Sequence, residues 1–125
     1  MIDLPLSGVR VIDAVPGVLG NIGRLLGELG AEVIRVEPRG GGADRTAGDM
    51  VGGTSLSFVA ANFGKKAATI DLPGDEARLI ALAREADILI DAGFAGLDHD
   101  AICTAAPELI LVTISDFGNA GPWRD

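Results

Sequence analysis

Five short apolar runs, separated by segments with helical spacing or by glycine-rich loops, constrain the fold of this chain more than any other feature. The runs are rich in Val, Ile and Ala and cover residues 9–14, 33–36, 67–71, 87–91 and 109–114. Regular alternation of strands and helices is typical of a parallel sheet covered by helices. The sequence therefore predicts an α/β fold, a Rossmann-like, mostly parallel sheet flanked by helices, with the last run as a buried strand.

The second apolar run stands between a helix end and a basic, glycine-rich loop. Gly30 lies where a glycine commonly follows the last helical residue, and Pro38 ends the run. Arg39 then opens the sequence Arg-Gly-Gly-Gly. In open α/β sheets, ligands bind beyond the carboxyl ends of the strands. We therefore expect this loop to meet an anionic, nucleotide-like ligand.

The helical segments contain several features that predict packing. Residues 18–29 carry leucines and an isoleucine at helical spacing, and they also carry Gly20, Gly23 and Gly27. Because each glycine costs a helix about 1 kcal/mol relative to alanine, these three predict a close approach to the sheet or to another helix. Three further helices are expected over residues 54–62, 76–85 and 98–106, with Thr54 as the N-cap of the first and Asp98 as the N-cap of the last.

Composition narrows the class of protein. The chain has 125 residues, 48% of them hydrophobic, which is typical of one globular domain. Ten basic and eighteen acidic side chains give a net charge of −8, so general nucleic-acid binding is not expected. There is no leader-like segment and no apolar run near the length of a membrane span. We expect a soluble, cytoplasmic protein without a membrane partner.

Cys103, His99 and the glycine-rich segment 17–23 each allow a separate prediction. Cys103 is the single cysteine, which excludes an internal disulfide and a cysteine-based metal cluster, and we expect it to be a small buried side chain. His99, at a helix start, is expected on the surface. Residues 17–23 have the spacing GxxGxxG after a strand, which with Glu37 as a ribose-binding acid leaves a nicotinamide-dinucleotide site as an alternative. No metal site is predicted.

Five blocks in one order and at one spacing resemble a known family. They are PLSGVRVID (5–13), LGAEVIRVEP (29–38), NFGKK (62–66), ADILI (86–90) and SDFGNAGP (115–122). Together they are similar to the N-terminal part of the family III CoA-transferases, which also includes formyl-CoA and carnitine CoA-transferases and α-methylacyl-CoA racemases. The resemblance implies that residues 1–125 are the N-terminal, CoA-binding Rossmann-like domain of a longer architecture.

The resemblance also implies which cations meet coenzyme A. Arg39 matches a family site for the nucleotide end of CoA, and Lys65 matches the lysine of an Asn-x-x-Lys segment. Lys66 and Arg45 are weaker candidates beside them. Arginine presents a planar fork to a phosphate, whereas lysine presents a point charge. The alternative is that all four are solvated loop charges.

A third segment implied by the resemblance follows the fourth strand. Asp91-Ala-Gly-Phe94 occupies the place of a Glu-Asn-Phe segment whose backbone and Asn approach CoA. Ala92 replaces that Asn, so one polar contact is missing. Phe94 is expected to form an apolar wall near the adenine, although a simple core or loop position is the other interpretation.

The implied activity is transfer of CoA between an acyl-CoA and a carboxylic acid, with coenzyme A, as acyl-CoA, serving as substrate and without a metal. Family transferases use an aspartate nucleophile whose position falls after Asp125, so no catalytic residue is predicted within these residues. A homodimer or a complementing chain is expected as partner. Two alternatives stay open: a catalytically silent module that binds CoA or a partner chain, and part of an α-methylacyl-CoA racemase.

Overall fold

A computed structural model describes residues 2–124. In chain order the strands are β1 (Arg10–Ala14), β2 (Glu32–Glu37), β3 (Met50–Val51), β4 (Thr54–Ser55), β5 (Lys66–Thr69), β6 (Ile88–Asp91) and β7 (Ile110–Thr113). The helices are α1 (Asn21–Glu28), α2 (Leu56–Asn62), α3 (Glu76–Arg84) and α4 (His99–Ala105). Short 3-10 turns cover Gly17–Gly20 and Ala43–Thr46. No helix within residues 2–124 has the length and apolar character needed to cross a bilayer.

Five of the strands form one parallel sheet in the order β5-β2-β1-β6-β7, which confirms the predicted fold class. The strand order reverses between β1 and β6. After β1, the chain adds β2 and β5 on one side of it, and it later adds β6 and β7 on the other side. In open α/β sheets this reversal creates a crevice at the carboxyl ends of the two strands. The fold therefore places a candidate binding cleft beyond β1 and β6.

Helices pack on both faces of the sheet and produce two hydrophobic clusters. On one face, Ile12, Leu89 and their neighbours meet the buried side chains Leu79 of α3 and Ile102 of α4. On the other face, α1 covers the cluster built around Val11. Because β1 is central, Val11 joins one cluster and Ile12 and Ala14 join the other, and all three side chains are buried.

The glycines of α1 allow the close approach that the sequence predicts. A Cβ atom built on Gly23 would lie 2.1 Å from Asp13 Oδ2, so only hydrogen fits there. A Cβ atom built on Gly20 would lie 3.5 Å from the Cβ atom of Ala61 in α2. The prediction for Gly30 is also confirmed, since it follows the helix end with a φ of +108°. Glycine content in this helix therefore reflects packing against β1 and α2.

Three local predictions are wrong. β7 is the edge of the sheet in the described residues, and Ile110 remains 59% exposed although its apolar run suggested a buried strand. Cys103 is exposed because it lies on the outer side of α4. Thr54 belongs to the β3–β4 hairpin, and the N-cap of α2 is Ser55, whose Oγ accepts a hydrogen bond from the Phe58 N–H. The predicted cap Asp98 is confirmed, with its Oδ1 accepting from the Ala101 N–H.

Candidate functional site

The crevice at the strand-order reversal is an open cleft with a volume of about 260 Å³. Its walls come from the segments that follow β1, β2, β5 and β6. Most of the lining is apolar, including Val15, Pro16, Val36, Pro38, Ile70, Leu72 and Phe94. Polar lining is contributed by Arg35, Glu37 and Asp71. The cleft can therefore accept a flat or chain-like apolar group and still meet charges at its base.

A buried ion pair supports the base of the cleft. Arg35 of β2 donates to both carboxylate oxygens of Asp44, at 2.7 and 3.0 Å, and also to Asn62 Oδ1 at 3.1 Å. Asp44 Oδ2 accepts a further hydrogen bond from the Gly17 N–H at 3.1 Å. Burial favours a raised pKa for Asp44, but the hydrogen bonds from Arg35 and Gly17 outweigh it, and the pKa of Asp44 is lowered. This pair fixes the turn after β1 against the loop after β2.

A second ion pair lies beside the first. Arg45 donates to both oxygens of Glu37, at 2.5 and 2.9 Å, and Glu37 also accepts from the Gly42 N–H at 3.0 Å. These interactions, led by the Arg45 hydrogen bonds, lower the pKa of Glu37 to about 2. The guanidinium groups of Arg35 and Arg45 both lie over the Phe58 ring, 5.1 and 4.6 Å from its centre. The cluster is compact and carries no net charge, because two arginines face two carboxylates.

Arg39 is not itself a lining residue of the cleft, but it follows the lining residue Pro38 and pairs with the lining residue Asp71. Its backbone N–H donates to Asp71 Oδ1 at 2.7 Å, and its Nε lies 3.0 Å from Asp71 Oδ2. The side chain is 86% exposed, so this ion pair is solvated and weak. Gly40 and Gly41 follow with φ values near +90°, a conformation that favours glycine, and they turn the loop back over β2. Arg39 is therefore free to turn towards an anion.

The two adjacent lysines lie elsewhere. The side chain of Lys65 is buried. Its Nζ lies 2.5 Å from Asp13 Oδ2 and donates to Gly20 O and Asn62 Oδ1 at 2.7 and 3.0 Å. Lys66 pairs with Glu32 at the amino end of the sheet, the end opposite the cleft. Neither lysine lines the cleft, so the structure does not bring them together with Arg39.

The two candidate CoA-binding residues that follow β6, Ala92 and Phe94, line different cavities. Phe94 lines the cleft, whereas Ala92 lines a second hollow of about 690 Å³ beside the carboxyl ends of β6 and β7. His99 borders this hollow and is only partly exposed, with its Nε2 2.8 Å from the buried Asp91 Oδ2. Asp91 Oδ1 accepts from the N–H groups of Gly93 and Phe94, so this carboxylate shapes the segment that carries Phe94.

Sequence reasoning missed the residues that organise the cleft. Arg35 had a readable signal, because a charge inside an otherwise apolar strand requires a buried partner. Asp44 had none, since it is one of several small and acidic residues in a glycine-rich loop. The Asp91–His99 pair depends on a contact across eight positions, which spacing alone does not reveal. Among residues 2–124 no three His, Cys, Asp or Glu side chains come together in a way that could hold a metal ion.

Comparison with known proteins identifies the architecture. The profile of CoA-transferase family III matches residues 6–125. The chain belongs to this family. The probable CoA-transferase Rv1866 of Mycobacterium tuberculosis is 39% identical over 113 residues, covering 81% of this chain and 14% of that protein. Succinate–glutarate CoA-transferase of Agrobacterium fabrum is 37% identical over 138 residues, covering 97% and 34%. The predicted resemblance is thereby confirmed.

A solved family structure has the same arrangement of strands and helices. The crystal structure of a CAIB/BAIF family protein from Brucella suis superimposes with a TM-score of 0.84 at 33% identity. The superposition covers 98% of this chain and 36% of that one. The chain therefore spans about a third, or less, of the length of these family III relatives.

Proposed function

We propose that residues 1–125 are the CoA-binding, N-terminal domain of a family III CoA-transferase-type enzyme that moves CoA between an acyl-CoA and a carboxylic acid. The observation that carries the proposal is the cleft at the strand-order reversal, mostly apolar inside, whose lining residue Asp71 pairs with the exposed Arg39. Membership of the family supports it, as does the relative from Agrobacterium fabrum, which is a succinate–glutarate CoA-transferase.

The charges of the cleft favour one orientation of CoA. The internal cations are already neutralised, since Arg35 faces Asp44 and Arg45 faces Glu37. In our proposal the apolar parts of CoA enter the cleft against Phe94, and a phosphate replaces Asp71 as the partner of Arg39. Phosphate groups carry more charge than a carboxylate and can accept a bidentate contact from arginine.

The other predicted site residues have different roles in this proposal. Arg45 supports the cleft from behind Glu37 and contacts the ligand only with its exposed edge. Lys65 acts indirectly, by holding Asn62 and the turn after β1 in place. Lys66 lies at the opposite end of the sheet and contributes little to CoA binding. Ala92 leaves the position of the family's amide without a hydrogen-bonding group.

The proposal extends to the setting of the reaction. The aspartate nucleophile of the family corresponds to a position after 125, so residues 1–125 hold CoA and do not themselves take the acyl group. Acyl-CoA and a carboxylic acid are the substrates, and a homodimer or a complementing chain is the assembly. We also propose a cytoplasmic location, as the sequence suggested.

Calorimetric titration with CoA tests the site. We expect Arg39→Ala to weaken binding by about 1–3 kcal/mol, the range for a lost charge-assisted hydrogen bond. Arg24→Ala is the matched control, because Arg24 is also a partly exposed arginine in a solvated ion pair, with Glu28 on α1. Equal affinities for parent and Arg39→Ala would remove the site assignment. A loss with Lys66→Ala but not with Arg39→Ala would place CoA at the other end of the sheet.

Two assays separate the alternatives for activity. A purified chain that moves CoA from succinyl-CoA to glutarate would exclude a silent binding module. Exchange of the α-proton of a 2-methylacyl-CoA in deuterated water, without CoA transfer, would instead indicate the racemase branch of the family. CoA binding without either reaction is the result expected for a domain that holds CoA only.

A further inference from the structure

A buried carboxylate holds the single histidine of the chain at the edge of the second hollow. Asp91 ends β6, and its Oδ2 lies 2.8 Å from Nε2 of His99. Its Oδ1 is already occupied, because it accepts from the N–H groups of Gly93 and Phe94. The oxygens of an ionised carboxylate only accept hydrogen bonds, so the imidazole carries a proton on Nε2. The tautomer of His99 is therefore set by Asp91.

The other ring nitrogen of His99 is available to a ligand. Nδ1 has no hydrogen-bond partner among residues 2–124, and the atom is accessible to solvent. The side chain is 35% exposed and lines the second hollow. With the proton on Nε2, Nδ1 presents a lone pair to this space. A base that a third group orients through a hydrogen bond is the arrangement that acid–base and nucleophilic catalysis use.

The second hollow adjoins the cleft that we propose for CoA. Gly93 lines both cavities, whereas Ala92 before it lines the hollow and Phe94 after it lines the cleft. The φ angle of Gly93 is +89°, and a Cβ atom built on it would have no heavy atom within 4 Å apart from its chain neighbours. The space above Gly93 is therefore open, so a chain-like group can pass from the cleft into the hollow.

The proposed orientation of CoA sends its thiol in this direction. CoA carries its phosphates at one end and a long arm with a terminal thiol at the other. In our proposal the phosphates meet Arg39, which follows β2, and the apolar parts lie against Phe94, which follows β6. The arm then continues in the same direction across Gly93, and its end enters the hollow that His99 borders. The thiol and Nδ1 are thus brought into the same space.

We infer that His99, held by Asp91, takes up and returns the proton of the CoA thiol in the second hollow, an assignment that rests on the proposed function. The S–H proton moves to Nδ1, which leaves a thiolate on CoA and an imidazolium that stays paired with Asp91. In the proposed transfer, CoA leaves one acyl group and attacks the next as a thiolate. When free CoA departs, the proton returns from Nδ1 to sulfur, so no other reactant is consumed.

Alkylation of bound CoA by iodoacetamide tests this inference, because the thiolate and not the thiol is the nucleophile. All proteins carry Cys103→Ser, which replaces the single cysteine of the chain at an exposed position and leaves the CoA thiol as the reacting group. Calorimetry sets the protein concentration at which CoA is fully bound. A neighbouring imidazolium lowers the pKa of a thiol from about 8.5 to about 7.5 or less. We therefore expect the midpoint of the alkylation rate against pH to be lower for bound than for free CoA by about one unit or more.

His99→Gln is the decisive variant. It removes the base but keeps a donor for Asp91, since the glutamine amide can replace the Nε2–H group. We expect this variant to bind CoA and to return the midpoint to that of free CoA. Ser115→Ala, which removes another polar side chain of the same hollow, is the matched control and keeps the lowered midpoint. The other charged groups around His99 are the same in all these proteins and cancel in the comparison: Asp98 and Asp100 beside it in the chain, and Asp116 and Arg124 along the hollow.

The contrary outcomes are equally distinct. A lowered midpoint that survives His99→Gln overturns the inference, because a histidine with a merely structural role would change stability and not the thiol. NMR of the parent adds a measurement that needs no variant at His99: the imidazole signals of the single histidine should differ between complexes with CoA and with desulfo-CoA, which lacks the thiol. Identical signals overturn the inference. A parent that does not bind CoA overturns the proposed function as well, whereas binding with an unshifted midpoint overturns this inference alone.

Discussion

Replacing Glu37 with Gln tests how strongly the charged cluster at the base of the cleft supports the fold. The carboxylate accepts two hydrogen bonds from Arg45 and one from the Gly42 N–H. It also forms an ion pair at 3.5 Å with the Nε of Arg35, a buried atom that makes no hydrogen bond to the described residues. Glutamine keeps the shape of the side chain but removes its charge and turns one acceptor into a donor. We expect Glu37→Gln to fold with reduced stability.

The magnitude follows from the pKa of Glu37. Folding lowers this pKa from 4.5 to about 2, a difference of about 2.5 units. Each unit corresponds to about 1.4 kcal/mol, so the ionised carboxylate contributes about 3 kcal/mol to the free energy of unfolding at neutral pH. Glu37 is almost fully buried, so solvent screens little of this contribution. For a domain of this size we expect Tm to fall by about 10 °C.

The pH dependence gives a second signature with a fixed sign. A pKa lowered in the folded state stabilises the fold above the unfolded pKa, and the stability is lost as the pH falls through the folded pKa. The difference between parent and Glu37→Gln should therefore be complete at pH 7 and shrink between about pH 4.5 and pH 2. Urea unfolding followed by circular dichroism measures this difference. The pKa of Asp44 is also lowered, so both proteins lose stability in acid through this residue. Subtracting the free energy of unfolding of the variant from that of the parent at each pH cancels this shared loss.

Glu28→Gln is the matched control for this experiment. Glu28 also pairs with an arginine, Arg24, but at an exposed i,i+4 position on α1. Its loss should cost only about 0.3–0.5 kcal/mol. Equal losses for the two variants would contradict the reasoning, and so would a Glu37→Gln difference that stays constant from pH 7 to pH 3.

The remaining predictions concern the packing of α1 on β1. Gly23→Ala should destabilise the fold by about 1–3 kcal/mol in urea unfolding, because the added methyl group overlaps the Asp13 carboxylate. Gly27→Ala is its control and should raise stability by about 0.5–1 kcal/mol, since the new Cβ meets Val33 at an ordinary 3.6 Å. Lys65→Met should cost about 3–5 kcal/mol by leaving the Asp13 charge buried and unpaired, and a cost below 1 kcal/mol would contradict the buried pair.

The parts of the fold that depend on local signals could be predicted from the sequence. All five strands of the sheet lie within two residues of the predicted runs at each end, because β-branched side chains mark inner strands and glycine or proline ends them. The cap at Asp98 and the glycine after α1 are equally local. The errors concern neighbours in space. An apolar run such as β7 looks the same whether or not another element covers it, and the exposure of Cys103 depends on how α4 is rotated.

The candidate site was harder to predict because it depends on where successive side chains point. Lys65 and Lys66 are adjacent in sequence and look like one basic patch. At the start of β5 they diverge, so one is buried against Asp13 and the other reaches Glu32 at the surface. A side-chain period of two separates neighbours along a strand in this way. Only Arg39 of the three sits at the carboxyl ends of the strands, which is the position that fold-level reasoning identifies for a ligand.

Charge balance then decides where the anionic part of a ligand can bind. Drawing Arg45 away from Glu37 to meet a phosphate inside the cleft removes both side-chain hydrogen bonds of a buried carboxylate, at a cost of up to about 3 kcal/mol, the contribution worked out above from its lowered pKa. Drawing Arg39 away from Asp71 costs about 0–1 kcal/mol, because that pair is exposed. The lower cost selects Arg39 for the phosphates and leaves the apolar interior, with Phe94, for the rest of the molecule. In the proposed CoA complex, the thioester carrier is therefore held by one exposed arginine beside a pre-formed, largely apolar cleft.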